Sequence, residues 1–106
     1  MLDFVHRWKT LWERDGAEAY LALYAPEFKS RGKGLKEWSA YKLRVNRLNQ
    51  KRRIQVTPTR IEFDGTEVSI DLLQQFNSTR INDLGLKQLG LKSVPAGTYL
   101  ITSEEW

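Results

Sequence analysis

The spacing of apolar residues changes its period once along the chain, near residue 53, and this change constrains the fold more than any other feature. Before that point apolar side chains recur every three or four residues, which is typical of amphipathic helices. After it they alternate with polar side chains, which is typical of strands with one buried face. A chain whose helices precede its strands is predicted to be an α+β domain, with the helices packed on an antiparallel sheet.

Three helices are predicted in the first half of the chain. The first covers residues 3–14. The second begins after Asp15, which forms a capping box with Glu18. It ends at Ala25, because Pro26 disfavours helical geometry in the residue before it. The third covers residues 35–49, and its predicted buried stripe comprises Leu35, Trp38, Tyr41, Val45 and Leu48.

Four strands are predicted in the second half. The first covers residues 54–63 and contains a bulge at Pro58, since proline cannot donate a hydrogen bond to a ladder. Asp64 and Gly65 predict a hairpin turn with positive φ at both residues. The other strands cover residues 68–78, 84–93 and 98–104. Residues 1–106 are therefore predicted to form one domain, in which three helices cover a curved antiparallel sheet of about four strands and leave a hollow between the layers.

Basic residues are concentrated in residues 29–53, which hold ten lysines and arginines and one acid, Glu37. A basic face is predicted there and comprises Lys36, Arg44, Arg47 and Arg52. Such a face is either a solvated surface or a binding surface for anions, including single-stranded nucleic acid. Nucleic acid is the less favoured partner, because Trp38 and Tyr41 are predicted on the buried stripe and are not free to stack on bases.

The composition excludes several kinds of chemistry. The chain has no cysteine, which excludes thiol nucleophiles, iron–sulfur clusters and cysteine-ligated zinc. Its single histidine, His6, lies beside Arg7 on the first helix, and Asp71 is predicted to face away from the hollow. General acid–base catalysis then has no predicted base, so we expect no enzymatic activity, no cofactor and no metal.

The N-terminal residues MLDFVHRWKT contain an acid and no long apolar stretch, unlike a signal peptide. No apolar run approaches the roughly 18 residues that a membrane span requires. These features predict a cytoplasmic protein if the chain is complete, and are equally compatible with a domain excised from an exported protein.

Several short motifs follow one another in a fixed order: AYLALYAPEF, then EWSAYKLRVNRL, then IDLLQQFNSTRINDLGLKQLGL, and finally EEW. This order resembles that of nuclear transport factor 2-like domains. More narrowly, it resembles the non-catalytic domain of that fold found in some bacterial L,D-transpeptidases and related cell-envelope proteins. The resemblance implies a cone-shaped fold, a place in the cell envelope or periplasm, and an accessory role in peptidoglycan remodelling. The implied partner is a peptidoglycan fragment or a cell-wall enzyme domain. A small lyase or isomerase of the same fold is the less favoured alternative.

The predicted ligand-binding residues form an aromatic group and a polar group around the hollow. The aromatic group comprises Tyr20, Tyr24, Trp38 and Tyr41, with rings in the core and tyrosine hydroxyls toward the hollow. The polar group comprises Gln74 and Ser78, at inward strand positions where polar atoms need partners, and Arg80 and Lys87, on a charged rim suited to a ligand carboxylate. Each group also has a purely structural interpretation, as aromatic core, as hydrogen bonds to the third helix, or as a turn held by its own charges. Leu73, on the outer face, predicts at most a weak homodimer.

Overall fold

The computed structural model describes residues 2–14, 17–95 and 97–105. The helices are α1 (Leu2–Glu13), α2 (Ala17–Leu21) and α3 (Leu35–Leu48). The strands are β1 (Lys29–Ser30), β2 (Lys33–Gly34), β3 (Arg53–Asp64), β4 (Glu67–Asn77), β5 (Asn82–Val94) and β6 (Thr98–Glu105). The predicted cap at Asp15 and the tryptophan of the closing EEW motif lie outside the described residues.

The four long strands form one antiparallel sheet in the order β3-β4-β5-β6, which confirms the predicted meander. β1 and β2 form a separate short hairpin. The bulge at Pro58 is also confirmed, because the register of β3 against β4 shifts between Pro58 and Arg60. The next turn begins at Gly65, whose φ is 62°. The prediction of a positive φ at Asp64 is wrong, because Asp64 is not among the described residues with positive φ and pairs with Glu67 as the last residue of β3.

The second helix is shorter than predicted. It ends at Leu21 rather than Ala25, because the residues that follow pair with β6 instead of continuing the helix. The Ala25 N–H donates to the carbonyl of Ile101 at 2.8 Å, and the Ile101 N–H donates to the carbonyl of Leu23, also at 2.8 Å. Tyr24 lies between them in a parallel bridge with Ile101, which fixes its position beside β6.

A second bulge, in β6, decides which side chains of that strand face the helices. Leu91 of β5 pairs with Ile101, whereas Leu89 pairs with Glu104, so three steps along β6 match two steps along β5. An extra residue reverses the alternation of side chains beyond it. Ile101 and Glu104 are therefore both buried on the inner face of the sheet.

Aromatic side chains dominate the core between the helices and the sheet. Its buried aromatic residues are Phe4, Trp8, Trp12, Tyr20, Tyr24, Phe28, Trp38 and Phe76. Trp38 follows the stripe predicted for α3, but two of its neighbours do not. Leu48, predicted on the stripe, is 53% exposed, whereas Lys42, which does not belong to that stripe, is buried. None of the helices formed by the described residues has the length and apolar character that a membrane span requires.

Candidate functional site

The carboxylate of Glu104 lies at the centre of the packing between the helices and the sheet, with its side chain 0% exposed. Lys87 of β5 donates from Nζ to Oε2 at 2.7 Å. Tyr24 donates its hydroxyl hydrogen to Oε1 at 2.6 Å. Ser30 of β1 donates to the main-chain carbonyl of Glu104. Donors from separate elements therefore hold both oxygens of the carboxylate.

The hydroxyl of Tyr24 links Glu104 to two further donors. Its oxygen lies 2.8 Å from the hydroxyl of Tyr20 and accepts a hydrogen bond from Nε1 of Trp8 at 3.2 Å. Tyr24 has a single hydroxyl hydrogen and donates it to Glu104, so Tyr20 is the donor to Tyr24. The hydrogens of the network all point toward the carboxylate, which is the arrangement that stabilises a buried negative charge.

Two lysine amines lie against the same aromatic side chain, Trp12, beside this carboxylate. Nζ of Lys87 lies 4.6 Å from the ring centroid of Trp12 and 5.2 Å from that of Trp8. Nζ of Lys42 lies 3.9 Å from the Trp12 centroid. Both lysines are buried. Cation–π contact with tryptophan is stronger at such desolvated positions than at the surface.

A cavity of about 360 Å³ opens between α3 and the strands β4 and β5, next to this cluster. Its polar lining comprises Lys42, Asn49, Gln74, Asp83, Lys87 and Glu104. Its apolar lining comprises Trp12, Tyr41, Val45, Phe76, Ile81, Leu84 and Leu86. Oε1 of Gln74 is buried and has no hydrogen-bond partner in the described part of the chain. The predicted hollow is thus present, and its size and mixed lining suit a small polar ligand.

The surroundings shift the pKa values of the buried groups in different ways. Burial raises the pKa of Glu104, but the nearby lysine charges and the hydrogen bonds from Lys87 and Tyr24 outweigh it and keep that pKa below its ordinary value. Burial lowers the pKa of Lys42 to about 7, because it outweighs the attraction of Glu104 and the charges of Lys87 and Arg52 lower the pKa further. Burial and the charge of Glu104 raise the pKa of the Tyr24 hydroxyl. At neutral pH the site therefore holds an ionised carboxylate and an amine that is partly neutral.

Lys42 gives the stability of the protein a pH dependence of defined sign. The unfolded chain returns the amine to water, where its pKa is near 10.5, so between pH values of about 7 and 10.5 the unfolded chain binds this proton more tightly than the folded one. Stability then rises with pH over this range, by at most about 1.4 kcal/mol per pH unit.

We expect Lys42→Met to remove this slope in urea denaturation at a series of pH values. Lys36→Met, exposed on the same helix, is the control and keeps the slope. Equal slopes for Lys42→Met and the unsubstituted protein would contradict the shift.

Residues 1–105 match the family model of the Cds6 C-terminal NTF2-like domain. The chain belongs to this family. The α+β, NTF2-like fold expected from the sequence is thereby confirmed, with three helices and a four-stranded antiparallel sheet. None of the curated proteins compared with the chain matches it.

Solved structures share the fold of this NTF2-like domain. Bd1075 of Bdellovibrio bacteriovorus is 26% identical with a TM-score of 0.89, over 98% of this chain and 37% of Bd1075. The helical cell shape determining protein Pgp2 of Campylobacter jejuni is 18% identical with a TM-score of 0.78, over 99% of this chain and 39% of Pgp2. An NTF-2 like protein of unknown function from Shewanella oneidensis is 16% identical with a TM-score of 0.77, over 97% of this chain and 92% of that protein. The domain thus spans well under half the length of the first two proteins.

Three of the predicted ligand-binding residues line the cavity of the NTF2-like domain: Tyr41, Gln74 and Lys87. The predicted position of Lys87 on a charged rim is wrong, because its side chain is buried and its amine pairs with Glu104 in the core. Ligand binding by the three residues stays a prediction.

The other three aromatic residues, Tyr20, Tyr24 and Trp38, are core residues. The hydroxyls of the two tyrosines are used within the Glu104 network. Their structural interpretation therefore accounts for the contacts observed, and a role in ligand binding stays a prediction.

Ser78 and Arg80 lie in the turn between β4 and β5. The Ser78 hydroxyl donates to Oδ1 of Asn49, next to the end of α3, and accepts from the N–H groups of Arg80 and Ile81. Arg80 is exposed. The hydroxyl of Ser78 thus fastens the turn to the end of α3, which is one of the two interpretations that the sequence leaves open.

The basic face contains three of its four predicted residues. Lys36, Arg44 and Arg47 are exposed on α3. Arg52 is only 5% exposed and does not belong to this face. Its guanidinium turns inward because it donates to main-chain carbonyls near the C-terminal ends of α1 and α3.

Two of the buried ionisable residues were missed by sequence reasoning. The sequence predicts no acidic side chain inside the domain. This expectation is wrong, because the bulge in β6 turns Glu104 inward, whereas strict alternation would turn Ser103 inward. The burial of Lys42 had a usable signal. Lys42 follows Trp38 by four residues, which places both side chains on one side of a helix.

Proposed function

We propose that this NTF2-like domain is a non-catalytic accessory domain of cell-wall remodelling, which binds a carboxylate-bearing peptidoglycan fragment or cell-wall enzyme segment in the cavity beside Glu104. The observation that carries the proposal is the lining of that cavity. The lining includes the buried amine of Lys42 and the amide oxygen of Gln74, which has no hydrogen-bond partner among the described residues. The amine of Lys87 lies in the same lining and is paired with Glu104. Peptide stems offer carboxylates to such amines and N–H groups to such an oxygen.

The structural likenesses support a setting in the cell envelope or periplasm. Pgp2 is described as a helical cell shape determining protein, and the domain covers 39% of it. The domain covers a similar share, 37%, of Bd1075. These proportions fit a domain that accompanies another functional part, as the sequence resemblance to the accessory domain of L,D-transpeptidases implies. The accompanying part would supply the chemistry, and this domain would hold the substrate or partner.

The state of Glu104 supports a non-catalytic role. A general base needs a free oxygen and a pKa near the working pH. Both oxygens of Glu104 accept hydrogen bonds, and its pKa is lowered by the surrounding charges and donors. The absence of cysteine also means that the chain cannot supply a thiolate nucleophile. These features favour binding over the alternative of a small lyase or isomerase.

The proposal predicts that cavity variants lose affinity for soluble peptidoglycan fragments in isothermal titration calorimetry. Gln74→Leu removes the amide and Lys42→Met removes the amine, at nearly constant side-chain volume. We expect Lys42→Met to weaken binding at least about tenfold, since one hydrogen bond to a charged group contributes about 1.5–3 kcal/mol. Gln74→Leu should weaken it about fivefold, since a neutral hydrogen bond contributes about 0.5–1.5 kcal/mol. Lys36→Met is the matched control and binds like the unsubstituted domain. Unchanged affinity in both cavity variants would overturn the cavity as the binding site.

The exposed bases of α3 support a second candidate, the binding of single-stranded nucleic acid or another anion. Lys36, Arg44 and Arg47 lie together on the exposed side of the helix. The Tyr41 ring beside them has the guanidinium of Arg44 5.9 Å and Nζ of Lys33 5.7 Å from its centroid, so it is a poor platform for a base. The double variant Arg44→Glu/Arg47→Glu separates the candidates. Loss of oligonucleotide binding with retained fragment binding would assign these bases to a nucleic-acid site.

The outer face of the sheet carries a small apolar area through which two copies of the proposed module could pair. Leu73, 39% exposed, pairs there with Leu86, which is 71% exposed. The neighbouring pair, Asp71 and Gln88, is polar. We propose a weak homodimer at most, because so small an apolar area falls short of what a stable interface buries.

A further inference from the structure

The amine of Lys42 differs from that of Lys87, the other buried lysine, in the groups that it contacts. Within the described part of the chain, no hydrogen bond or ion pair joins its amine to another residue. Its described contacts are with rings, at 3.9 Å from the Trp12 centroid, 5.6 Å from that of Trp38 and 5.9 Å from that of Tyr20. Both oxygens of the nearby Glu104 already accept hydrogen bonds from other residues. The amine is therefore held by packing rather than by a carboxylate.

The Lys42 amine is also placed where a small molecule can reach it. Lys42 is 5% exposed, yet it lines the cavity of about 360 Å³ that opens between α3 and the sheet. The same cavity is lined by Lys87, Gln74 and Glu104, so a molecule entering it meets polar groups beside the amine. An amine at the wall of an open cavity can react without local unfolding.

The groups around Lys42 favour its neutral, nucleophilic form. Lys87 of β5 and Arg52, which precedes β3, repel a positive charge there, and Glu104 of β6 attracts one. Tyr20 of α2 faces the amine with its ring. Burial outweighs the attraction, and the pKa of Lys42 falls to about 7. Desolvation in an apolar pocket next to a second cation is a recognised way of making a lysine nucleophilic.

We infer that Lys42 is a covalent binding site for small aldehydes and ketones, with which its amine forms an imine. Nζ attacks the carbonyl carbon and forms a C–N bond, and the carbonyl oxygen leaves as water with the two hydrogens of the amine. The reaction is a condensation and needs neither an oxidant nor a reductant. The imine is uncharged, which suits a site where burial outweighs the attraction of Glu104 for a positive charge. The inference is independent of the proposed cell-wall ligand, since only a free carbonyl group is required.

The test is reductive trapping with glyoxylate, an aldehyde small enough for a cavity of about 360 Å³. The folded domain is incubated at pH 7 with glyoxylate and cyanoborohydride, which converts the imine to a stable secondary amine. Peptide mapping by mass spectrometry then gives the extent of modification at each lysine. We expect Lys42 to be modified at least about tenfold faster than exposed lysines such as Lys36, because its neutral fraction at this pH is far larger. The rate at Lys42 should fall as the pH is lowered below about 7.

Two controls keep the inference falsifiable. Lys36→Met leaves the modification of Lys42 unchanged, and the same reaction in urea removes the preference for Lys42 because unfolding equalises the lysines. Circular dichroism after the reaction shows whether the modified domain is still folded. Modification of Lys42 at or below the rate of the exposed lysines in the folded domain would overturn the inference. Modification of Lys42 in urea alone would overturn it as well, since the amine would then be closed to ligands.

Discussion

Replacing Lys87 with methionine is expected to lower the free energy of unfolding by about 3–5 kcal/mol, because it leaves the carboxylate of Glu104 buried without its ionic partner. The two side chains are 4% and 0% exposed, and the amine lies 2.7 Å from Oε2. Methionine has nearly the volume of lysine and can occupy the same channel beside Trp8, so the loss measures charge rather than packing.

The double variant Lys87→Met/Glu104→Gln is the decisive control, because it removes the unpaired charge together with its partner. We expect it to recover most of the stability lost in the single variant, since replacing both members of a buried pair is often close to neutral. Urea denaturation of the two variants and the unsubstituted domain completes the comparison. If Lys87→Met lowered the free energy of unfolding by less than about 1 kcal/mol, the pair would behave like an ion pair at the surface. The stability of the core would then not depend on pairing the charge of Glu104.

The long elements could be predicted because each carries its pattern locally. The alternation in β4 matches burial, with Val68, Ile70 and Leu72 all turned into the core. The end of α2 could not be predicted in this way. It is set by hydrogen bonds between Leu23 or Ala25 and a strand at the far end of the chain, and nothing near the helix encodes that pairing. The local spacing of apolar residues therefore determines where most elements begin, whereas tertiary pairing with β6 determines where α2 ends.

The candidate site was predictable only as far as strand alternation holds. Gln74 could be found because a polar residue at an inward position of a regular strand stands out. Glu104 could not, since the bulge in β6 reverses the alternation just before it, and the one local sign of the bulge is Gly90 on the partner strand β5, opposite Ser103. Lys87 shares its strand face with the buried Leu89 and Leu91, so alternation marked its side chain as inward even though its charge suggested a rim. Charge is thus a weaker guide than strand register in this domain.

Arg52 shows why a run of bases cannot be sorted from sequence alone. It lies between Lys51 and Arg53, which are both exposed, while Arg52 is 5% exposed. Lys51 has a φ of 53°, and this left-handed residue redirects the chain between α3 and β3. The three bases are chemically alike, so only the position of the helix ends decides which of them is buried.

Replacing Arg52 with methionine is expected to lower the free energy of unfolding by about 3 kcal/mol or more. Nε donates to the carbonyl of Trp12 at 2.9 Å and Nη2 to that of Arg14 at 2.8 Å, near the end of α1. Nη1 donates to the carbonyls of Asn46 and Asn49, at 3.0 and 3.1 Å, near the end of α3. The last carbonyls of a helix lack intrahelical partners, and each buried one left unpaired costs about 1–3 kcal/mol.

Arg53→Met is the matched control for this loss, because Arg53 is exposed and its removal should change the stability by no more than about 0.5 kcal/mol. Arg52→Lys should lose most of the stability despite keeping the charge, since an ammonium cannot reach the ends of both helices with the geometry of a guanidinium. Similar denaturation midpoints for Arg52→Met and Arg53→Met would show that Arg52 does not join the two helices. If Arg52 does join the two helices, an Arg52 variant that binds anions more weakly does so because its fold is damaged. The basic face is therefore tested at Arg44 and Arg47, whose side chains are exposed.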